Sequence, residues 1–246
     1  HRLRRAPAHA ADRDPRRTRI RADHVPVGAM QVEVASTAGY RVGDPVAVVR
    51  EPNARWLGPD GIDTARYGWL AADYAVYNER VVTAVDRGTL SLDAPIMDAI
   101  ESRFGGGSVY RTRPERIAEV GIEDLRLEGN RETGTVNGTA DTGPFTGIRF
   151  GAVRDSWIRD VTVRYVSHGF VTRNGAHFNT LQDVAYLDPR YGETQGARRY
   201  VFLYEGNAAF NLTQRCYNRG GRHTFVNGAR TSGPNVFLDC LATDDS

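Results

Sequence analysis

Five eight-residue segments in the second half of the chain share one frame: Val120-Gly-Ile-Glu-Asp124-Leu-Arg-Leu127, Ser156-Trp-Ile-Arg-Asp160-Val-Thr-Val163, Asn179-Thr-Leu-Gln-Asp183-Val-Ala-Tyr186, Asn211-Leu-Thr-Gln-Arg215-Cys-Tyr-Asn218 and Asn235-Val-Phe-Leu-Asp239-Cys-Leu-Ala242. Their fifth residues lie 36, 23, 32 and 24 positions apart, which is a basic period of 23 to 24 with two enlarged repeats. A second strand recurs within the unit, as Gly147–Phe150, Gly169–Thr172, Tyr200–Leu203 and His223–Val226. A period this short carries strands but leaves no room for a helical hairpin, so ankyrin, tetratricopeptide and armadillo arrays are excluded. A strand solenoid remains, with rungs about 4.8 Å apart and every column of equivalent residues obliged to tolerate itself.

The columns meet that demand. The position after the frame residue reads Leu125, Val161, Val184, Cys216, Cys240, as an interior stack should. The position four before it reads Val120, Ser156, Asn179, Asn211, Asn235, and three stacked amides at a turn can bond to one another and to turn backbone. Cys216 and Cys240 are expected as stacked thiols rather than a disulfide, because one rung spacing lies near the short end of the Cα separations that a disulfide bridges. Cysteine use therefore does not fix the compartment.

The first half has a different organisation. Met30–Ala35, Asp44–Arg50, Glu79–Val85, Thr89–Leu92 and Ser108–Arg111 alternate with period two, and Asp86-Arg87-Gly88 marks a hairpin, so a small β-barrel or sandwich is expected over residues 24–112. Within it, residues 51–77 carry Trp56, Tyr67, Trp69, Tyr74 and Tyr77 among Gly and Pro, either as a plug over an adjacent domain or as a sugar-stacking surface. Residues 1–23 hold eight arginines against Asp12, Asp14 and Asp23, and read as a basic leader or lead-in strand. The chain begins at His1 without the apolar core of a signal peptide, as expected of a segment of a longer protein whose solenoid, over 113–246, continues past Ser246.

Composition narrows the chemistry. A net charge of +2, with the basic excess confined to the leader, gives no reason to invoke a nucleic-acid partner. No apolar run approaches the length of a helical membrane span. All 32 cationic side chains are arginine, and without lysine neither Schiff-base chemistry nor a P-loop is available.

The amide ladder, the period and the aliphatic stacks make residues 113–246 resemble the right-handed parallel β-helix of the pectate-lyase-like superfamily. The Val42-Gly43-Asp44 turn and the hairpin ending in Gly88-Thr89-Leu90 resemble modules attached to such helices in exported bacterial proteins. The resemblance implies an extracellular, carbohydrate-active protein. Its members are mostly polysaccharide lyases, glycoside hydrolases, epimerases and phage tailspikes, so fold alone does not assign the chemistry.

The two enlarged repeats, at residues 128–144 and 187–199, follow the frame strand and would wall a groove on one face. On its floor His168 and His223 stand at equivalent positions, eight after Asp160 and Arg215. The rung between them offers Tyr200 if Phe202 aligns with Phe170 and Phe225, or Arg199 if Val201 does. β-Elimination on a uronic-acid polymer needs a carboxylate neutraliser, a base and an acid. We assign His223 as base and Tyr200 as acid, with His168 a candidate for either role and Arg199 or Arg222 as neutraliser. Arg198, Arg219, Tyr186, Asp188, Tyr191, Asp244 and Asp245 are the expected substrate contacts. No cofactor is required, although Asp188, Asp244 and Asp245 would suit calcium if they clustered. A glycoside hydrolase on the same fold, working through two carboxylates, and a non-catalytic glycan-binding fibre, adhesin or tailspike-like protein are the alternatives to a lyase.

Overall fold

A computed structural model describes residues 17–57, 66, 68, 70–129, 146–189, 200–228 and 230–245. The chain divides into two compact units, 1–114 and 115–246.

Among the described residues the first unit holds eight strands: β1 (Thr18–Arg19), β2 (His24–Val25), β3 (Gln31–Glu33), β4 (Pro45–Arg50), β5 (Val76–Asp86), β6 (Thr89–Leu92), β7 (Ile100–Glu101) and β8 (Gly107–Arg111). Six of them form one antiparallel sheet in the order β1-β8-β4-β5-β6-β3. An antiparallel bridge between Ile20 and Val34 then joins its two outer strands, so the sheet closes on itself as a small barrel. Period-two patterning fills the interior with Val32, Val46, Val48, Val82, Leu90 and Val109. The β5–β6 connection is the two-residue turn expected at Arg87-Gly88, with Gly88 at positive φ. Of the aromatic segment, Tyr74 is buried and Tyr77 packs against Ala47, Val49 and Tyr110; Tyr67 and Trp69 lie outside the described residues, as does the side chain of Trp56.

The second unit is a parallel β-helix. Its strands are β9 (Ile117–Ala118), β10 (Gly121–Glu128), β11 (Thr146–Gly151), β12 (Val153–Arg154), β13 (Trp157–Arg164), β14 (His168–Arg173), β15 (Thr180–Gln182), β16 (Ala185–Leu187), β17 (Tyr200–Tyr204), β18 (Asn211–Gln214), β19 (Tyr217–Arg219), β20 (His223–Asn227), β21 (Asn235–Leu238) and β22 (Leu241–Thr243). All pair in parallel with their equivalents one rung away. One sheet holds the frame strands, a second has the order β11-β14-β17-β20, and a short third side runs through Val153–Arg154, His177 and Ala209.

The frame residue is where each rung bends. Asp124, Asp160, Asp183, Arg215 and Asp239 all have φ between 51° and 54°, a left-handed conformation that Asp tolerates better than most L-residues. Five residues later the backbone turns again at Tyr165, Asp188, Gly220 and Asp244, each at positive φ. Arg215 breaks the aspartate series with a purpose: its guanidinium makes two 2.8 Å bonds to Asp183 of the preceding rung. Standing between Asp183 and Asp239, it interrupts a series of carboxylates that would repel one another at rung spacing.

The interior columns agree with the sequence reading. Val161, Val184 and Cys216 are buried, with Leu125 and Cys240 packed at the ends, and both cysteines are free thiols. Phe170, Phe202 and Phe225 stack at 5.5 and 5.8 Å. In the amide ladder, Asn179 Nδ2 donates to Asn211 Oδ1 at 2.9 Å and Asn211 Nδ2 to Asn235 Oδ1 at 2.8 Å. The same oxygens accept the backbone N–H groups of Asn179 and Asn211. Each amide also ties a corner carbonyl: Asn179 to Val153, Asn211 to Ala176, Asn235 to Ala208. Ser156 tops the ladder, bonded to the backbone of Val120 and Arg154.

Two outcomes follow. Asn211→Ala strands the donors of Asn179 and the carbonyl of Ala176 in a dry interior, and urea unfolding should show a loss of about 3 kcal/mol. Burial pushes the Cys216 thiol up to about 12, so iodoacetamide at pH 8 should leave Cys216 unlabelled in the native protein, as peptide mapping would show, and modify it once urea unfolds the chain.

Candidate functional site

The register of β14, β17 and β20 decides the composition of the column. Phe202 aligns with Phe170 and Phe225, so Tyr200 stands between His168 and His223, directly paired with His223 across the sheet. The imidazole of His168 and the phenol ring of Tyr200 stack with centroids 5.4 Å apart, and Tyr200 and His223 lie 5.1 Å apart with a tilt of 49°. Exposure rises along the column: His168 is 8% exposed, Tyr200 intermediate and His223 open to solvent. Arg222 and His223 border an open groove of about 610 Å³ together with Tyr200, Thr224, Phe225 and Asp245.

The remaining expected contacts divide. Arg198, Arg199, Tyr191 and most of the two enlarged connections lie outside the described residues. Tyr186 is a correction: it is fully buried in the solenoid, its ring against Gly169 and its hydroxyl donating to the Val166 carbonyl at 2.7 Å. It belongs to the interior column Leu127, Val163, Tyr186, Asn218 because the strand alternates strictly from its frame corner. No surface substrate touches it.

Asp245 is exposed on the groove and also bonds inward. Its carboxylate accepts from Asn218 Nδ2 at 3.1 Å and from Thr224 Oγ1 at 2.7 Å, and so shares with Thr224 the buried amide nitrogen of Asn218. Asp244 is exposed at the second corner. Asp188 and Arg219 are taken up by each other: Asp188 bridges Arg164 at 2.6 Å and Arg219 at 2.7 Å, and Arg164 reaches Glu128 at 3.3 Å. Among the described residues no three His, Cys, Asp or Glu side chains gather as metal ligands.

A feature that the sequence reading passed over lies on another face. The outward residues of the strand halves before the frame corner are Trp157 and Thr180 in one column and Glu123, Arg159 and Gln182 in the next. They line a depression of about 340 Å³. The indole lies against Gly121, where a Cβ would come within 2.6 Å of the ring, and its N–H donates to Glu123. The signal was present as the Gly121–Trp157 alternation in the frame, read there only for its inward half.

No family model and no curated protein matches this sequence. Among solved structures, the chain is similar to the tailspike protein gp49 of Pseudomonas phage LKA1, at 14% identity and a TM-score of 0.40 over 90% of this chain and 41% of that one. It is similar to the tailspike gp61 of Pseudomonas phage phi297 at 12% identity and a TM-score of 0.36 over 94% and 57%. A third is the gp54 tailspike of Acinetobacter baumannii bacteriophage AP22 in complex with A. baumannii capsular saccharide, at 9% identity and a TM-score of 0.37 over 92% and 45%. The chain thus spans about half the length of these structures. The β-helix assignment rests on the strand pairing itself.

Partial burial pushes the Asp188 carboxyl up, and the hydrogen bonds from Arg219 and Arg164 more than reverse this, holding it below the usual carboxylate range. A carboxylate depressed in the folded state stabilises above its unfolded pKa, and that contribution is lost as pH falls through the folded value. Urea midpoints should therefore decline below about pH 4. Asp188→Asn should lower the midpoint at pH 7, and its difference from the parent should narrow as the pH falls below about 4.

Proposed function

We propose that the β-helix binds an acidic polysaccharide along the outer edge of the β11-β14-β17-β20 sheet, as a glycan-binding surface of the fibre or tailspike-like type. The observation that carries this reading is the His168–Tyr200–His223 column, three rings in succession at about rung spacing, the first two stacked and the third tilted, opening toward solvent at His223. Ring edges and polar tips held by a rigid sheet offer a polymer repeated contacts at little entropic cost. Arg222 beside the groove supplies a donor fork suited to a uronate or other carboxylate. An exported location accords with a ligand of this kind.

A second reading, β-elimination, is favoured by one observation: Tyr200 and His223 are paired neighbours on the same face, which gives an acid and a base a common substrate edge. Here His223 would remove the proton at C5, Tyr200 would protonate the departing O4, and Arg222 would stabilise the carboxylate as charge develops. Hydrolysis has less support, since Asp245 is the one carboxylate among the described residues lining the groove and it is bonded to Asn218 and Thr224.

Binding to pectin, alginate, glucuronan and glycosaminoglycans, measured by affinity electrophoresis, tests the first reading. At least one should retard the protein in a salt-sensitive way, and His223→Ala and Tyr200→Ala should each weaken retention about tenfold, near 1.4 kcal/mol. Equal retention by both variants would remove the column from the site. Growth of ultraviolet absorbance from unsaturated uronate, abolished in Tyr200→Phe, would establish elimination; binding without it leaves the non-catalytic reading.

A further inference from the structure

We propose that the depression around Trp157 is a second carbohydrate site, separate from the column and built for an uncharged pyranose unit. Two rung corners separate the two along the chain, the frame corner at Asp160 and the next at Tyr165, so they occupy different faces of the solenoid. Trp157 is 37% exposed although its indole lies on the preceding rung. Gly121 makes this placement available, because any side chain there would occupy the space of the ring. An aromatic plane presented in this way offers the C–H face of a pyranose a flat apolar partner.

The rim consists of planar polar groups in fixed orientations. Glu123 accepts from the indole N–H and pairs with Arg159 at 2.9 Å. Gln182 Oε1 accepts from Gln214 at 2.7 Å while its amide nitrogen donates to Asp183 at 3.0 Å. A carboxylate, a guanidinium and a primary amide each keep further donor or acceptor capacity after those bonds, and Thr180 adds a hydroxyl. Sugar hydroxyls both donate and accept, and this mixture of fixed donors and acceptors matches them. Charge selects against an acidic unit: Glu123 and Arg159 neutralise each other, so a uronate would meet repulsion as much as attraction. The side chains are held before any ligand arrives, which spares the ordering cost of binding.

The test uses the full chain with Trp56→Phe and Trp69→Phe, which leaves Trp157 as the sole indole of the original three. Maltohexaose, cellohexaose, mannohexaose and galactohexaose are titrated while its emission is followed. At least one should give a saturable blue shift. Gln182→Ala should raise the half-saturation concentration about fivefold, equivalent to about 1 kcal/mol, and His223→Ala should leave it unchanged. No saturable shift with any of the four up to about 10 mM overturns the proposal, because affinity would then be weaker than about 3 kcal/mol. It also falls if His223→Ala abolishes the shift, which would place the sugar at the column, or if the shift follows protein concentration, which would mean that a second copy covers this face. Should the double replacement not fold, the indole N–H resonance of Trp157 in the unaltered protein, assigned with Trp157→Phe, gives the same outcomes. Failure of acidic polymers to bind the column leaves this result untouched, so the two readings are judged independently.

Discussion

In-register parallel pairing places every side chain of the second unit against its own equivalent at about 4.8 Å, and this governs what each column may contain. Apolar columns accept the arrangement freely, since like packs on like in Phe170, Phe202 and Phe225. Amides accept it because each carries both a donor and an acceptor. Charges do not, and opposite charges from adjacent rungs meet where the fold allows: Arg215 pairs with Asp183, Arg164 with Glu128, and Asp188, beside the column of Arg164, Leu187 and Arg219, pairs with both arginines. Surface pairs of this kind each contribute little to stability. Their role is to offset part of the repulsion that like charges meet in register, as in the run Asp124, Asp160, Asp183.

Straight strands cannot stay in register while turning, so the bends are confined to single left-handed residues. Asp at most frame corners keeps the cost low, about 1 kcal/mol or less where a bulky side chain would face 1–2 kcal/mol. Phe178 and Phe210 occupy such positions at φ 57° and 60° and recover part of that cost by stacking at 4.8 Å and 6°. Solenoid geometry thus selects residues at its corners by backbone conformation, and at its faces by self-compatibility.

Those two rules explain what could be read from the sequence. Period, ladder, thiol stack and frame aspartates are properties of columns, and a column is visible wherever the spacing is constant. The Asp86-Arg87-Gly88 hairpin was legible for a local reason, since turn chemistry resides in adjacent residues. Tyr186 was misplaced because its chemistry was read without its parity: counting from Asp183 sends it inward. The bond from Asp245 to the buried Asn218 was not legible, because the two lie far apart in sequence. The ambiguity between Tyr200 and Arg199 arose where an enlarged repeat interrupts the count, and only pairing to His223 resolves it. Closure of the first unit by a single Ile20–Val34 bridge has no sequence signature at all.

The amide ladder has a consequence of its own. Each Asn donates its amide hydrogen to the oxygen of the next rung in chain order, from Asn179 to Asn211 to Asn235, and never the reverse. The bonds are therefore all oriented one way, and their dipoles add along the solenoid axis instead of cancelling. Such a chain has a head and a tail: Ser156 begins it with its backbone N–H, which donates to Asn179 Oδ1, and each further amide accepts from a donor already polarised by those before it. The polypeptide's own direction is thereby copied into a side-chain current of hydrogen bonds, giving the cylinder an electrical polarity that its strands, lying across the axis, do not supply.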